Sequence, residues 1–224
     1  MQPYVFPYIG YFQLINAVDK FVIYDDVNFI KQGWITRNRI LLDSKDFMFI
    51  LRVEGASSFR KINEIKLGKY NDKLLNTFTH AYKYAPLYPE VFPLIEDVFL
   101  KGGDNLSGFI TYSLKKIAEY LGIKTELILS SDIDKNNDLK AKDKVIEICR
   151  LLNGTQYVNS SGGQDLYSKE DFLQKGIDLK FLKSTPESYK QYENDFVPML
   201  SIVDVMMFNL VEKVKNMLNQ YELV

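Results

Sequence analysis

Apolar positions recur along the chain at two spacings. From Gly10 to Val18, Tyr11, Leu14, Ile15 and Val18 fall three or four residues apart, which predicts an amphipathic helix. Just ahead, Tyr4-Val5-Phe6 has room only for the tail of a strand, ended by Pro7. Phe21-Val22-Ile23-Tyr24 is a continuous aromatic and β-branched run closed by Asp25-Asp26, the pattern of a buried parallel strand with carboxylates at its C-terminal end. Arg39-Ile40-Leu41-Leu42 and Phe47-Met48-Phe49-Ile50-Leu51 flank Asp43-Ser44-Lys45-Asp46 and predict a hairpin.

From Asn71 to Leu121 the period becomes helical. Leu74, Leu75, Phe78 and Tyr82 share one face, Ala85-Pro86 breaks it, and a second helix runs from about Tyr88 to Leu100 before Gly102-Gly103. A third helix opens at Asn105 or Leu106 and closes at Gly122. Strands are then expected at Thr125–Leu129, Tyr157-Val158 and Leu179–Leu182. Helices are expected at Lys142–Leu152 and Leu166–Gly176, with one or two more over Leu200–Leu218. Strands alternating with helices through short loops predict an α/β fold: a parallel twisted sheet with helices on both faces. The chain reads as a single domain over 1–224, with a helical insert or subdomain at approximately 71–103.

At 224 residues and 46% hydrophobic, the chain can bury a core without disulfides or a structural metal. Its 28 basic and 29 acidic side chains nearly cancel, which argues against a nucleic-acid coat. No segment approaches the ~20 apolar residues that span a bilayer, and the start lacks the layout of a secretory signal, so a cytoplasmic location without membrane insertion is expected. Cys149 is the only cysteine and His80 the only histidine. That removes disulfides and Cys/His metal sites, and no metal ligands are assigned. Chemistry must then run on carboxylates, Lys/Arg, hydroxyls and amides. Cys149 reads as a buried structural thiol, His80 as an ordinary surface residue, and Asp204 as a buried partner of an arginine or a cap.

Two segments concentrate candidate binding groups. In Gln2-Pro3-Tyr4-Val5-Phe6-Pro7-Tyr8-Ile9-Gly10-Tyr11-Phe12, two prolines and a glycine set a tight turn into a helix whose first amides can meet an anion. After Asp25 and Asp26 come Lys31, Trp34, Arg37, Asn38 and Arg39, placed where open α/β sheets carry their ligand crevice, beyond the carboxyl ends of the strands. A later small-polar loop, Asn159-Ser160-Ser161-Gly162-Gly163, can offer backbone amides to phosphate or carboxylate. Gln2, Pro3, Tyr8, Gly10, Tyr11, Asp26, Trp34, Asn38, Ser161, Gly162 and Gly163 are the candidate binding residues. Asp25, Lys31, Arg37 and Arg39 are the candidate catalytic ones.

These motifs, with Phe196-Val197-Pro198-Met199-Leu200-Ser201-Ile202-Val203-Asp204 near the end, resemble the WbqC-like family over nearly the whole chain. Members of that family carry a few apolar residues ahead of Gln-Pro, whereas here Met1 directly precedes Gln2, so a shortened first strand is expected. The resemblance implies a role in O-antigen and other surface-polysaccharide synthesis, through acyl or aminoacyl (glycyl) transfer to the amine of a nucleotide-linked amino sugar.

Tyr8-Ile9-Gly10-Tyr11 also resembles the His-x-Gly-His signature of nucleotidylyltransferase (HUP-like) enzymes, with tyrosine at both histidine positions. That likeness implies ATP and Mg2+. ATP phosphates would lie on the first turn and helix, Lys31, Arg37 and Arg39 would stabilise charge at phosphorus, Asp25 or Asp26 would hold the metal or accept a proton, and the sugar amine would capture a glycyl adenylate made from ATP. Tyrosine brings a hydrogen-bond donor but no positive charge, so the cations must come from the Lys/Arg segment. Two alternatives stand beside this reading: a non-catalytic nucleotide-sugar-binding subunit that supports a transferase, and a glycosyltransferase.

Overall fold

The structure is a computed structural model that describes residues 1–193 and 195–224. Its elements in chain order begin with α1 (Ile9–Asn16), β1 (Lys20–Ile23), β2 (Arg37–Leu42), β3 (Lys45–Ile50), β4 (Val53–Glu54) and β5 (Lys66–Leu67). Three helices follow, α2 (Lys73–Tyr82), α3 (Tyr88–Lys101) and α4 (Leu106–Tyr120), and then β6 (Glu126–Leu129), α5 (Ala141–Leu151) and β7 (Gln156–Ser160). The chain closes with a 3-10 turn (Ser161–Leu166), α6 (Lys169–Leu173), β8 (Asp178–Ser184), α7 (Ile202–Phe208), α8 (Val211–Met217) and β9 (Tyr221–Leu223).

The fold is mixed α/β, with small sheets. β1 pairs with β6 in parallel, Phe21 opposite Leu127, as the buried run Phe21–Tyr24 predicts. β7 and β8 form a second parallel pair, and β9 adds to β8 antiparallel. The single continuous parallel sheet expected from the alternation is not formed as one ladder. Its opening strand is missing because the chain at Tyr4–Phe6 is bent rather than extended. Only Met1 exchanges backbone bonds with β1: its ammonium donates to the Val22 carbonyl (2.8 Å), and its carbonyl accepts from the Tyr24 amide (2.8 Å).

The bend has a definite cause. Phe6 adopts φ 41°, a left-handed conformation rare for a bulky residue, immediately before Pro7, which itself disfavours helical conformations in the residue it follows. Two buried side chains hold it. The Asn38 amide donates to the Phe6 carbonyl and, at 3.3 Å, to the Val5 carbonyl. The Ser201 hydroxyl donates to the same Phe6 carbonyl (2.7 Å). Asn38 Oδ1 accepts in turn from the Tyr4 hydroxyl (3.1 Å). With the backbone turned this way, the fully buried Phe6 ring meets Phe78 edge-on at 5.9 Å and Phe49 at 6.5 Å.

β2 and β3 form the expected hairpin, joined by only two residues. Asp43 and Ser44 both have positive φ (50° and 65°), as a type I′ turn requires. Helices α2 and α3 occupy the stretch read as a helical insert. Their Phe78, Tyr82, Val91, Ile95 and Val98 join the same apolar core as Phe6, Phe12 and Ile23. A second, smaller cluster gathers Val145, Ile146, Phe172, Ile177, Leu179 and Phe181 under β7 and β8.

Asp204 departs from its expected partners. It is fully buried on α7 and accepts hydrogen bonds from the Tyr82 hydroxyl (2.9 Å), the Tyr189 hydroxyl (2.7 Å) and the Gln191 amide (2.7 Å), not from an arginine, while Ser201 caps the helix. Burial raises its pKa, and the three donors counter that in part. His80 is exposed, as expected, and Cys149 is half-buried with its thiol pushed up to about 11 by burial.

Replacing Asn38 by alanine strips the Val5 carbonyl of its buried donor and releases half of the hold on Phe6. At about 1–3 kcal/mol for each buried polar group left unmatched, Asn38→Ala is expected to lower unfolding free energy by about 2–4 kcal/mol in urea denaturation. A change under ~0.5 kcal/mol would show that the bend does not depend on this side chain.

Candidate functional site

The bend at Phe6 and the turn after β1 leave a cavity of about 580 Å3 between them, within the range of small-molecule sites. Its floor comes from the opening segment and α1: Met1, Gln2, Pro3, Tyr4, Tyr8, Gly10, Tyr11 and Leu14. Ile30, Gly33, Trp34 and Ile35 supply one wall, Arg39 reaches in from β2, and Ser160 at the end of β7 and Met199 complete the lining.

Seven of the candidate residues therefore meet at one place: Gln2, Pro3, Tyr8, Gly10, Tyr11, Trp34 and Arg39. Tyr8 and Gly10 act as a pair. A Cβ at position 10 would stand 2.8 Å from Tyr8 Cζ and 2.9 Å from its hydroxyl, so glycine lets the Tyr8 ring lie across the first turn of α1. Burial raises the Tyr8 pKa and keeps the phenol a hydrogen-bond donor at neutral pH. The Tyr11 hydroxyl is already engaged, donating to the Gln2 carbonyl (3.0 Å) in a buried setting that also raises its pKa. Tyr11 thus fixes the opening segment on α1, with its ring edge against Tyr4 at 6.2 Å.

The mouth is cationic. Trp34 is 46% exposed and carries two guanidiniums, Arg37 at 5.4 Å and Arg39 at 5.8 Å from the ring centroid. Arg39 pairs with Asp46 at 3.2 Å across the hairpin, yet its Nε is buried with no partner. The Nε of Arg37 is likewise buried and unmatched, and Arg37 forms no ion pair among the described residues; it meets the site through Trp34 and does not itself line the cavity. Lys31 is exposed in the turn between the lining residues Ile30 and Gly33.

Asn38, Asp25 and Asp26 are engaged in holding the fold, whereas the Ser161–Gly163 turn lies beside the cavity without lining it. Asn38 holds Phe6, as described. Asp25 is buried and accepts from Ser107 (3.3 Å), the Ser131 amide (3.0 Å) and the Ser131 hydroxyl (2.8 Å), tying β1 to α4 and to the chain beyond β6. Asp26 is buried between two buried lysines, Lys135 at 3.0 Å and Lys144 at 2.9 Å. Burial would raise its pKa, but the hydrogen bonds and charge of Lys144 and Lys135 outweigh that and bring it to about 2. Gly163 makes room for Asn159, whose amide nitrogen would stand 2.5 Å from a Cβ there, and Ser161 and Gly162 belong to the same 3-10 turn beside the cavity residue Ser160.

This donor set does not fit a magnesium ion. Both oxygens of Asp25 are occupied by hydroxyl and amide donors, and a divalent cation at Asp26 would face two ammonium groups. No carboxylate is among the residues that line the cavity, and no cluster of three metal-ligating side chains occurs among the described residues. Met1, Leu14, Ile30, Gly33, Ile35 and Met199 line the cavity without having been singled out as site residues, whereas Ser160 belongs to the small-polar loop read as a candidate. Leu14 belongs to an ordinary apolar helix face, and only Met199, set at φ 59° within the quoted C-terminal motif, carries a local signal.

Fold and site together define an α/β protein with an aromatic, cation-rimmed cavity on its first helix. The chain belongs to the WbqC-like protein family, whose match runs over residues 2–216. It is similar to the uncharacterized protein Rv1507c of Mycobacterium tuberculosis, 27% identical over 209 residues that make up 91% of this chain and 89% of the relative. No solved structure matches it. No helix among the described residues is long and apolar enough to cross a membrane.

The Asp26 pair yields a pH-dependent expectation. Because the folded pKa of Asp26 lies below its ordinary value of 3.8, its stabilisation is present above that value and lost as pH falls toward about 2. Asp204 contributes with the opposite sign, its protonated form favouring the fold at low pH and that contribution fading as pH rises through its raised pKa. Asp26→Asn leaves two buried ammonium groups without their carboxylate, at a cost of about 3–5 kcal/mol. Urea denaturation at pH 7 is expected to show that loss, and the loss is expected to shrink between pH 4 and about pH 2. An unchanged loss across that range would contradict the pairing.

Proposed function

We propose that the chain is an enzyme of bacterial surface-polysaccharide (O-antigen) synthesis that transfers an acyl or aminoacyl group, glycyl by the family likeness, to the amine of a nucleotide-linked amino sugar. The observation that carries this reading is the cavity itself: an aromatic interior of sugar-nucleotide size beneath a mouth where Arg37 and Arg39 flank Trp34. A base can pack against the exposed part of Trp34. A diphosphate has the two guanidiniums, and that of Arg37 has no carboxylate partner among the described residues. The sugar then lies inward, within reach of Gln2, Tyr8 and Ser160.

In the reaction, the sugar nitrogen attacks the acyl carbonyl carbon. The new C–N bond forms as the bond to the leaving group breaks, and the nitrogen gives up one proton to the leaving group or solvent. Tyr8, kept protonated by burial, can donate to the oxygen that becomes negative during the attack. An adenylate made from ATP in the site has less support than a donor activated elsewhere, because the cavity lining offers no carboxylate for a magnesium-bound triphosphate.

A second reading, a binding subunit for the same sugar nucleotide without turnover, has one observation in its favour: no carboxylate or histidine lines the cavity to act as a base. Incubating the protein with UDP- or dTDP-linked amino sugars and activated glycine, and following the amide product by mass spectrometry, separates the two. Turnover is expected, and Arg39→Ala is expected to reduce kcat/KM about 10–100-fold, the scale of one charged hydrogen bond. Saturable binding without amide product would move the assignment to the binding role, and absence of both would overturn it.

A further inference from the structure

We infer that the cavity mouth binds a nucleoside diphosphate without a divalent metal, with Arg37 and Arg39 supplying the neutralising charge that Mg2+ supplies in many nucleotide sites. The inference rests on the nucleotide-sugar reading and specifies how that ligand is recognised.

Three observations converge. Arg37 and Arg39 are alternate residues of β2, so their side chains leave the same face of the strand. Both guanidiniums lie within 6 Å of the Trp34 ring, which restricts them before any ligand arrives. Each has an Nε buried from solvent with no acceptor, and Arg37 has no carboxylate partner among the described residues. Those Nε groups are shielded from any ligand, so an oxyanion at the mouth would be held by the outer guanidinium nitrogens, and those of Arg37 have no carboxylate to displace. A planar guanidinium can give two parallel hydrogen bonds to one phosphate, so two of them match the charge of a diphosphate.

The carboxylates that would bring a metal to the same phosphates are turned elsewhere. Asp25 and Asp26 follow β1, yet both oxygens of Asp25 are engaged by Ser107 and Ser131, and Asp26 is buried with its Oδ2 held by Lys135 and Lys144. Asp46, on the mouth side of the hairpin, is paired with Arg39. Incoming phosphate would compete with Asp46 for that guanidinium, and the freed carboxylate would remain in solvent, 50% exposed at its side chain.

Trp34 is the only tryptophan in the chain, so its fluorescence reports directly on this mouth. UDP and dTDP are titrated into the full chain in EDTA and again in excess Mg2+, with Arg37→Ala and Arg37→Lys in parallel and circular dichroism to confirm that each variant is folded. The expected result is saturable quenching in EDTA with affinity unchanged, or lowered, by Mg2+. Affinity should fall about tenfold or more in Arg37→Ala and recover only in part in Arg37→Lys, because lysine restores charge but not the planar fork. Quenching that appears only with Mg2+, or an affinity the folded Arg37 variants leave unchanged, would overturn the inference while leaving the nucleotide-sugar reading in place. No binding of either diphosphate under either condition would remove both.

Discussion

The carbonyl oxygen of Phe6 receives two buried hydrogen bonds, one from Asn38 on β2 and one from Ser201 at the start of α7. They secure a left-handed residue in front of a proline, a conformation that costs on the order of 1–3 kcal/mol and persists only where its surroundings impose it. The turn sends the Phe6 ring into the core against Phe49 and Phe78 and sends Tyr8 back across Gly10. Without it, Tyr4–Phe6 could extend as a strand, and the space floored by Gln2, Tyr4, Tyr8 and Tyr11 would not exist in its present form. The same constraint joins three distant parts of the chain, because β2 also presents Arg37 and Arg39, and Ser201 follows the cavity residue Met199 by two positions.

Charge is distributed around that cavity by a simple division. Carboxylates after β1 face inward, Asp25 hydrogen-bonded by serines and Asp26 neutralised by lysines, all drawn from sequence more than 80 residues away. Guanidiniums of β2 lie against Trp34 at the mouth, and that of Arg37 has no carboxylate partner among the described residues. An interior rich in tyrosine and a cationic rim favour an anionic ligand carrying a flat aromatic group. That combination accounts for a nucleotide-linked substrate better than for a neutral sugar.

Much of the fold was legible in the chain. The run Phe21–Tyr24, the flanks of the Asp43-Ser44 turn and the helical periods of α2 to α5 have patterns longer than their boundary errors. The strands that escaped notice, β4, β5 and β9, have two or three residues each and no period to read. The opening strand failed for a different reason. Tyr4-Val5-Phe6 has strand composition, but tertiary hydrogen bonds to Asn38 and Ser201 decide its backbone. The site was legible in part: Tyr8, Gly10, Trp34 and Arg39 converge, whereas Asp25, Asp26 and Asn38 carry site-like chemistry that the fold consumes. Their partners Lys135, Lys144, Ser107 and Ser131 have no sequence signature that links them to the strand end, so burial alone separates the two roles.

The central claim is that the mouth at Trp34 is where the diphosphate of a sugar nucleotide sits. A crystal structure of the protein with a bound UDP- or dTDP-linked amino sugar tests it most directly. Phosphate density is expected against the guanidiniums of Arg37 and Arg39, with the base at Trp34 and the sugar directed toward Tyr8 and Ser160. Phosphate density on the Ser161–Gly163 turn instead, with Trp34 uncovered, would contradict it.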